Sequence, residues 1–315
     1  MSAAFVFPGQ GSQAVGMGKA LADSFAAARE VFAEVDEALG EKLTAVMWEG
    51  PADRLTLTEN AQPALMAVSL AAMRVLEREA GVDLKRDAAF VAGHSLGEYS
   101  ALAAAGALSV PDTARLLRTR GRAMQAAVPV GAGAMAALLG LEFDAAAAIA
   151  AEAAQSGVCQ AANDNGGGQV VVSGDKAAVE RAVEIAKAKG ARRAMLLPVS
   201  APFHCALMQP AADAMAQALA KVTVRSPVVP LVANVLAHSI SEPGDIVKSL
   251  IAQVTGTVRW RESVAFMAGA GVDRFYEVGA GKVLSGLVKR IADGATGSAI
   301  GTPDDVASFK ASRAS

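Results

Sequence analysis

The chain is predicted to be an α/β protein, because apolar strand-like runs alternate with helical patterns along most of its length. Between residues 128 and 200 the order changes to strand, helix, strand, strand, helix, strand, which is the order of a ferredoxin-like unit. The 315 residues are enough for one large domain with an insertion. We therefore predict a large domain with a mostly parallel sheet (residues 1–127 and 201–315) and an inserted ferredoxin-like small domain (residues 128–200).

The first third of the chain supplies the start of the large domain. An apolar run at residues 3–7 predicts a buried first strand, and a second run at 88–92 predicts another. Gly81 closes one helical pattern, and Pro111 with Asp112 opens a later one. The predicted helices cover residues 24–39, 63–80, 96–105 and 111–127.

The remaining elements complete both predicted domains. In the small domain we predict strands at 134–141, 158–162, 169–173 and 193–199, with helices at 143–155 and 176–189. In the large domain we predict strands at 228–234 and 274–278, with helices at 211–221, 246–254, 260–270 and 283–291. The polar tail from residue 301 is expected to be poorly ordered.

Composition narrows the class of protein. Hydrophobic residues make up 53% of the chain, but much of this is Ala, and no stretch approaches 18 apolar residues without a charge or a break. No signal-peptide pattern precedes the first strand, so we expect a cytoplasmic protein without membrane spans. The formal net charge of −2 argues against nucleic-acid binding. Cys159 and Cys205 match no metal-ligand spacing, which predicts free thiols and no metal.

Residues 93–97 read Gly-His-Ser-Leu-Gly, a G-x-S-x-G pattern. Three fixed positions can arise by chance in a chain with 30 glycines, but here a predicted strand precedes the pattern and a predicted helix follows it. That context is typical of the nucleophile elbow of α/β-hydrolase-like folds, which raises a serine hydroxyl above the sheet edge. Ser95 is therefore the candidate nucleophile, and the Leu96 N–H is free to stabilise an oxyanion.

A serine nucleophile usually needs a histidine base, and the chain has three histidines. His94 adjoins Ser95, so its side chain leaves the turn in a different direction and we expect it to pack beside the elbow. His238 lies in a polar loop and is expected at the surface. His204 follows a predicted strand in a Pro-containing loop, where sites of open α/β sheets are built, and is the candidate base.

Arg120 lies on the apolar side of its predicted helix, whereas Arg115, Arg118 and Arg122 fall on one face that is expected to be solvated. A buried arginine must be paired or hydrogen-bonded. Its planar fork could bind a substrate carboxylate with two parallel bonds, or it could form a structural salt bridge to a protein carboxylate. Gln10, in a Gly-Gln-Gly loop after the first strand, could supply a second oxyanion N–H, although such a loop is also compatible with a plain turn.

Together these motifs resemble those of the malonyl-CoA:acyl carrier protein transacylase family of type II fatty-acid synthesis. The similarity covers nearly the whole chain. It is carried by residues 5–13 (FVFPGQGSQ), 62–65 (QPAL), 93–99 (GHSLGEY), 120–121 (RG), 124–125 (MQ), 204–208 (HCALM) and 276–279 (YEVG).

The resemblance implies a ping-pong reaction in which Ser95 takes malonyl from malonyl-CoA and passes it to the phosphopantetheine thiol of holo acyl carrier protein. It implies His204 as base and then acid, with its ring oriented by the backbone carbonyl of Gln253. Arg120 would bind the malonyl carboxylate, and the N–H groups of Gln10 and Leu96 would form the oxyanion hole. No cofactor is implied, and a monomer is expected.

The resemblance also places further residues along the cleft between the two domains, namely His94, Met124, Asn163, Asn165 and Phe203. The sequence departs from the family after Asn165, where three glycines replace a more usual Ser-Pro-Gly. Phe203 stands where some bacterial relatives have Ser. In related polyketide acyltransferases a Phe there accompanies malonyl over methylmalonyl, because the ring would crowd an α-methyl group.

Three alternatives remain open at this point. The carrier could belong to polyketide synthesis instead of fatty-acid synthesis. The chain could be a serine esterase or thioesterase on the same fold, although such an enzyme would normally place an Asp or Glu behind its His. It could also be a non-catalytic carrier-binding scaffold, against which the intact Ser95, His204 and Arg120 speak.

Overall fold

Two sheets organise the protein in the computed structural model, which describes residues 2–314. Their strands, numbered along the chain, are β1 (Ser2–Phe7), β2 (Phe90–Gly93), β3 (Gly133–Leu139), β4 (Cys159–Asp164), β5 (Gln169–Asp175), β6 (Arg193–Leu196), β7 (Leu231–Val232), β8 (Ser239–Ile240), β9 (Val272–Val278) and β10 (Thr296–Ile300).

The helices surround these sheets. In chain order they are α1 (Lys19–Ser24), α2 (Ala26–Leu39), α3 (Leu43–Glu49), α4 (Ala52–Thr56), α5 (Thr58–Ala80), α6 (Leu84–Asp87), α7 (Leu96–Ala104), α8 (Val110–Ala126), α9 (Phe143–Ala154), α10 (Lys176–Ala188), α11 (Gln209–Leu219), α12 (Pro243–Gln253), α13 (Trp260–Gly269), α14 (Val283–Ile291) and α15 (Pro303–Ala314), with a 3-10 turn at Ala206–Met208.

The large sheet has the strand order β10-β9-β1-β2-β7-β8 and is parallel except for the β7–β8 pair. Alternate residues of β1 face opposite helical layers. Phe5 and Phe7 pack with the cluster that includes α2, α5 and α8, whereas Ala4 and Val6 pack with α13 and α14. Burial on both faces explains why this strand is a continuous apolar run, and the predicted mostly parallel sheet is confirmed.

The small sheet is antiparallel throughout, with the order β4-β5-β3-β6. Helices α9 and α10 cover one face and share a core with Leu138 of β3 and Val172 of β5. Two helices on one face of a four-stranded sheet in this order are the ferredoxin-like arrangement predicted from the sequence. The exact domain limits, 128–200, stay a prediction.

The predicted disorder of the tail is wrong. Residues 303–314 form α15, which packs against β10 with Val306 and Phe309 buried. The Phe309 ring meets the Tyr276 ring edge-on, with centroids 5.0 Å apart. Two buried apolar side chains on a short helix give a weak periodic pattern, so the helix was not predictable from the sequence.

The predicted start of the second helix at Pro63 is also wrong, because α5 begins at Thr58 and holds Pro63 inside it. Proline has no N–H, so the Glu59 carbonyl loses its usual intrahelical partner. The Arg118 Nη1 donates to that carbonyl at 2.6 Å. A side chain from α8 therefore satisfies the backbone group that the proline leaves open.

Other differences are smaller. The predicted helix 24–39 begins two residues late, as α2 at Ala26, because Phe25 separates it from α1. The predicted strand 228–234 is reduced to the two residues of β7. Across residues 2–314, the helices are all too short or too polar to cross a membrane.

Candidate active site

The predicted strand–turn–helix is present at residues 93–97. Ser95 adopts the positive φ of 53° between the end of β2 and the first turn of α7. The two glycines are required by close contacts, since a Cβ on Gly93 would lie 1.9 Å from the Gly97 carbonyl, and one on Gly97 would lie 2.2 Å from the Phe7 oxygen. A non-glycine residue in this backbone region is strained, and such strain is typical of a nucleophile elbow.

Ser95 and His204 are brought together although they lie 109 positions apart in the chain. Ser95 Oγ is 2.8 Å from His204 Nε2, and His204 Nδ1 is 2.8 Å from the backbone oxygen of Gln253. Gln253 ends α12, where backbone carbonyls have no intrahelical partner, so this oxygen is available to accept from the ring. Nδ1–H therefore donates to Gln253, which leaves Nε2 free to accept the serine proton.

His204 is buried, and among residues 2–314 its ring nitrogens bond to Ser95 and to the Gln253 carbonyl, not to a carboxylate. Burial, and then the positive charge of Arg120, lower the pKa of His204 to about 3. The imidazole is consequently neutral across the physiological range, the form in which a base can accept a proton.

Arg120 is 1% exposed, as its apolar position predicted. Its Nη2 lies 3.0 Å from Ser95 Oγ and 2.8 Å from Gln253 Oε1, and its Nη1 lies 2.8 Å from Gln62 Oε1. Among the residues that the structure describes, none of the carboxylates forms an ion pair with Arg120, so it is not a direct structural salt bridge. The guanidinium faces the nucleophile with neutral partners only.

The prediction for the other arginines of α8 is wrong at Arg118. Its side chain is buried and binds Glu41, Asn60 and the Glu59 carbonyl. The periodicity of α8 alone could not predict the burial of Arg118, because its partners come from α5 and from the loop before α3. Arg115 and Arg122 are exposed, as expected.

Two buried polar residues behind the elbow were missed by the sequence analysis, Glu98 and Asn234. Asn234 Oδ1 accepts from the Ser95 N–H at 2.8 Å, and its own N–H donates to Glu98 Oε2 at 3.0 Å. Gln253 Nε2 also donates to Glu98 Oε2, at 2.9 Å. Glu98 lies three residues after Ser95, one helical turn away, so its closeness to the nucleophile could have been predicted. Asn234 is distant in the chain, and no local sequence pattern marks it.

Glu98 is fully buried, and burial raises its pKa to about 7 despite the donors on one oxygen. Its other oxygen, Oε1, has no hydrogen-bond partner within residues 2–314. Gln253 joins Glu98 to Arg120 through its two amide atoms, so the carboxylate and the guanidinium are separated by one neutral group.

Backbone N–H groups around the elbow differ in whether they have an acceptor. The Ser95 N–H donates to Asn234 Oδ1. The N–H groups of Gly97 and Glu98 donate to the backbone oxygens of His94 and Ser95, respectively. Within the described chain, the N–H groups of Gln10 and Leu96 have no protein acceptor. Both residues line the same cavity as Ser95, so two unoccupied donors are available to an oxyanion there.

The cavity has a volume of about 860 Å³ and lies between the carboxyl end of the large sheet and one face of the small sheet. The site residues predicted from the sequence that line it are Gln10, His94, Ser95, Leu96, Arg120, Met124, Asn163, Asn165, Phe203 and His204, while Gln253 lies behind them. Met135 and Val171 extend its wall onto the small sheet. The cavity volume is in the range of ligand sites.

His94 turns away from the nucleophile, as predicted. Its Nε2 lies 2.9 Å from Asn165 Oδ1, and its ring packs 5.8 Å from the Trp260 ring. Burial lowers the pKa of His94. The pair joins the elbow to the glycine turn of the small sheet. His238 is exposed and outside the site.

No group of three or more His, Cys, Asp or Glu side chains in residues 2–314 is arranged to hold a metal ion. Cys159 and Cys205 are buried free thiols.

The chain is similar to known acyltransferases in both sequence and structure. The model of the acyl transferase domain family matches residues 4–296. The malonyl CoA-acyl carrier protein transacylase of Escherichia coli K12 is 49% identical over 304 residues, covering 96% of this chain and 97% of that protein. The acyl-carrier-protein-S-malonyltransferase of Bartonella henselae superposes with a TM-score of 0.97 at 57% identity, over 100% of both chains.

A third relative was solved with a partner. It is a malonyl-transacylase in complex with its type II polyketide-synthase acyl-carrier protein, with a TM-score of 0.95 and 41% identity, covering 99% of this chain and 100% of that one.

Proposed function

The chain belongs to the acyl transferase domain family, among its malonyl CoA-acyl carrier protein transacylases, and we propose that it transfers malonyl from malonyl-CoA to holo acyl carrier protein in fatty-acid synthesis. One observation carries the proposal. Ser95 Oγ lies between a neutral imidazole at 2.8 Å and a buried guanidinium at 3.0 Å. The first group activates a nucleophile, and the second suits an acyl group that bears its own carboxylate.

In the first half-reaction Ser95 attacks the thioester carbonyl of malonyl-CoA. The hydroxyl proton passes to His204 Nε2, and the Oγ–carbon bond forms as the carbonyl oxygen becomes an oxyanion. Gln10 and Leu96 line the cavity, and their N–H groups, which have no acceptor among residues 2–314, would receive that oxygen. The C–S bond then breaks, and the Nε2 proton goes to the departing coenzyme A sulfur.

The second half-reaction runs through the same groups in reverse. The phosphopantetheine thiol of holo acyl carrier protein loses its proton to His204 Nε2, and its sulfur attacks the Ser95 ester. The oxyanion collapses, and Ser95 Oγ leaves with the proton held on Nε2. The histidine thus returns to its starting form after each half-reaction.

Arg120 selects the acyl group. During malonyl binding its Nη2 would exchange the Ser95 hydroxyl for the free carboxylate, whose negative charge would pair with the buried guanidinium. The bulky ring of Phe203, buried at the cavity wall, supports the hypothesis that an α-methyl substituent is crowded out. Met124, Asn163 and Asn165 shape the rest of the wall.

The reaction requires no cofactor, because every step is an acyl or proton transfer between groups that the site and the substrates supply. We propose that the enzyme acts in the cytoplasm and as a monomer. A carrier from polyketide synthesis is a second candidate partner, because the relative solved with such a carrier has the same fold.

The esterase alternative is disfavoured by the group behind the base. A backbone carbonyl, that of Gln253, occupies the place where an esterase usually has a carboxylate. A malonyl ester on Ser95 should therefore be hydrolysed slowly and persist until a thiol acceptor attacks it.

Intact-mass analysis after mixing with malonyl-CoA tests the proposal. We expect the protein to gain one malonyl group, peptide mapping to place it on Ser95, and Ser95→Ala to gain none. Rapid formation of malonate without any acceptor would favour the esterase, and unchanged transfer to the carrier by Ser95→Ala would exclude Ser95 as the nucleophile.

A further inference from the structure

A continuous chain of hydrogen bonds leads from Arg120 to the loop that bears Gln10. Arg120 Nη1 donates to Gln62 Oε1 at 2.8 Å, and Gln62 Nε2 donates to Thr58 Oγ1 at 2.9 Å. The Thr58 hydroxyl then donates to Gln10 Oε1 at 2.8 Å. Thr58 is therefore both acceptor and donor, and it is the link between α5 and the loop after β1.

The Thr58 end of this chain is held rigidly. Thr58 and Gln62 are buried at 0% and 1% exposure. Thr58 opens α5 where that helix presses on α8, and a Cβ on Gly121 would lie 2.7 Å from the Thr58 carbonyl oxygen. Because Gly121 follows Arg120 directly, this close contact fixes Thr58 relative to the guanidinium.

The Gln10 end belongs to a loop that is tightly packed on one side of Gln10 only, since a Cβ on Gly9 would lie 2.8 Å from the His94 oxygen, whereas one on Gly11 would have nothing within 4 Å. Gln10 is half-buried and stands between Gly9 and Gly11, and Gly11 has a φ of 113° that side-chain-bearing residues rarely adopt. The side chain of Gln10 is anchored by the Thr58 hydroxyl. Gln10 lines the cavity and its N–H has no protein acceptor among residues 2–314, so we expect the direction of that N–H to depend on the bond to Thr58.

We propose that Thr58 is a positioning residue, whose hydroxyl holds the Gln10 N–H at a fixed place in the oxyanion hole relative to Arg120. This inference rests on the proposed function. An oxyanion donor acts only when it is aimed at the oxygen before the reaction begins. Loss of the Thr58 hydroxyl should leave malonyl-CoA binding nearly intact and slow the acyl-transfer step.

The test compares Thr58→Val, which keeps the shape and removes the hydroxyl, with Thr58→Ser, which restores it. Complete loss of one oxyanion donor costs about 100- to 1,000-fold in kcat, so a misplaced donor should cost roughly 10- to 100-fold. We expect Thr58→Val to lower kcat by this amount with little change in KM, for malonyl and acetyl groups alike. Thr58→Ser should recover most of the loss.

Gln10→Met gives a second test that does not disturb the buried helix contact. It removes the acceptor for Thr58 but keeps the backbone N–H, and it should reproduce the loss seen in Thr58→Val. The double variant should be no slower than Thr58→Val alone, because Thr58→Val already removes the bond to Gln10 together with the acceptor for Gln62. This pair keeps the inference testable if Thr58→Val does not fold.

Three results would overturn the inference. An unchanged kcat in Gln10→Met or in folded Thr58→Val would show that the bond does not aim the N–H. A loss confined to malonyl and expressed in KM would place the effect at Arg120. Additive losses in the double variant would separate the two residues. The wild-type Ser95 adduct is measured first, so a failure of the proposed function itself is seen independently.

Discussion

At the scale of single residues, Arg120 is a buried cation with no ion-pair partner among the described residues. Its bonds go to two glutamine side-chain oxygens and to the nucleophile, and burial lowers its pKa. An isolated buried charge is costly, and the amide oxygens compensate only part of that cost. A bound carboxylate would supply the missing charge, which is why this residue should distinguish malonyl from neutral acyl groups.

Arg120→Ala should therefore weaken malonyl transfer selectively. Removing one member of a buried charge pair costs about 2–5 kcal/mol, which corresponds to roughly 30- to 4,000-fold in kcat/KM. Acetyl transfer should be unchanged or faster, since acetyl has no carboxylate. Arg122→Ala is the matched control, because Arg122 lies on the same helix with its side chain 63% exposed. An equal loss of kcat/KM for malonyl and acetyl transfer would show that Arg120 has a structural role instead.

Glu98 is the second residue with a perturbed charge, and its effect on stability has a definite sign. Its pKa rises from 4.5 to about 7 in the folded protein, mainly because of burial. Between these values the folded state holds a proton that the unfolded state has lost. The Glu98 contribution to stability is therefore full below pH 4.5 and is lost as the pH rises to about 7.

Glu98→Gln should remove this pH dependence while it keeps an oxygen for Gln253 and Asn234. The wild-type free energy of unfolding, minus that of the variant, should fall on the order of 3 kcal/mol between pH 4.5 and 8. Urea unfolding at several pH values measures the difference. If the difference rises with pH, or stays flat, the carboxyl is not held protonated by burial.

At the scale of elements, the strand–elbow–helix was predictable because its signals are local. The flanking glycines, the apolar lead-in and the Ala-rich helix all lie within about 18 residues of one another. The burial of Arg118 was not predictable in the same way. It depends on Pro63 leaving a carbonyl open on α5, and only the packing of α5 against α8 brings the two together.

Gly97→Ala tests the packing of the elbow. The added Cβ would lie 2.2 Å from the Phe7 oxygen of β1, and relief of such overpacking typically costs about 1–3 kcal/mol. We expect a lower urea midpoint and loss of acylation. Gly286→Ala is the control, since that exposed helical glycine has nothing within 4 Å of its Cβ and should gain about 0.4–1 kcal/mol. Equal effects of both substitutions would contradict this account.

At the scale of the whole molecule, the cavity exists only where the two sheets face each other. The strand and helix order predicted both sheets, and the spacing of motifs indicated Ser95, His204 and Arg120. It could not indicate Asn234, Met135 or Val171, because these meet the site through contacts between distant parts of the chain. The tail was misjudged for the same reason, since α15 is ordered by packing against β10 and α5.

The measurement that tests the central claim most directly is a chase of isolated malonyl-enzyme. The protein is loaded with malonyl-CoA, freed of coenzyme A, and mixed with holo acyl carrier protein while both masses are followed. The account predicts that the carrier gains one malonyl group at the rate at which the Ser95 adduct disappears. Loss of the adduct as free malonate, with the carrier unmodified, would contradict it.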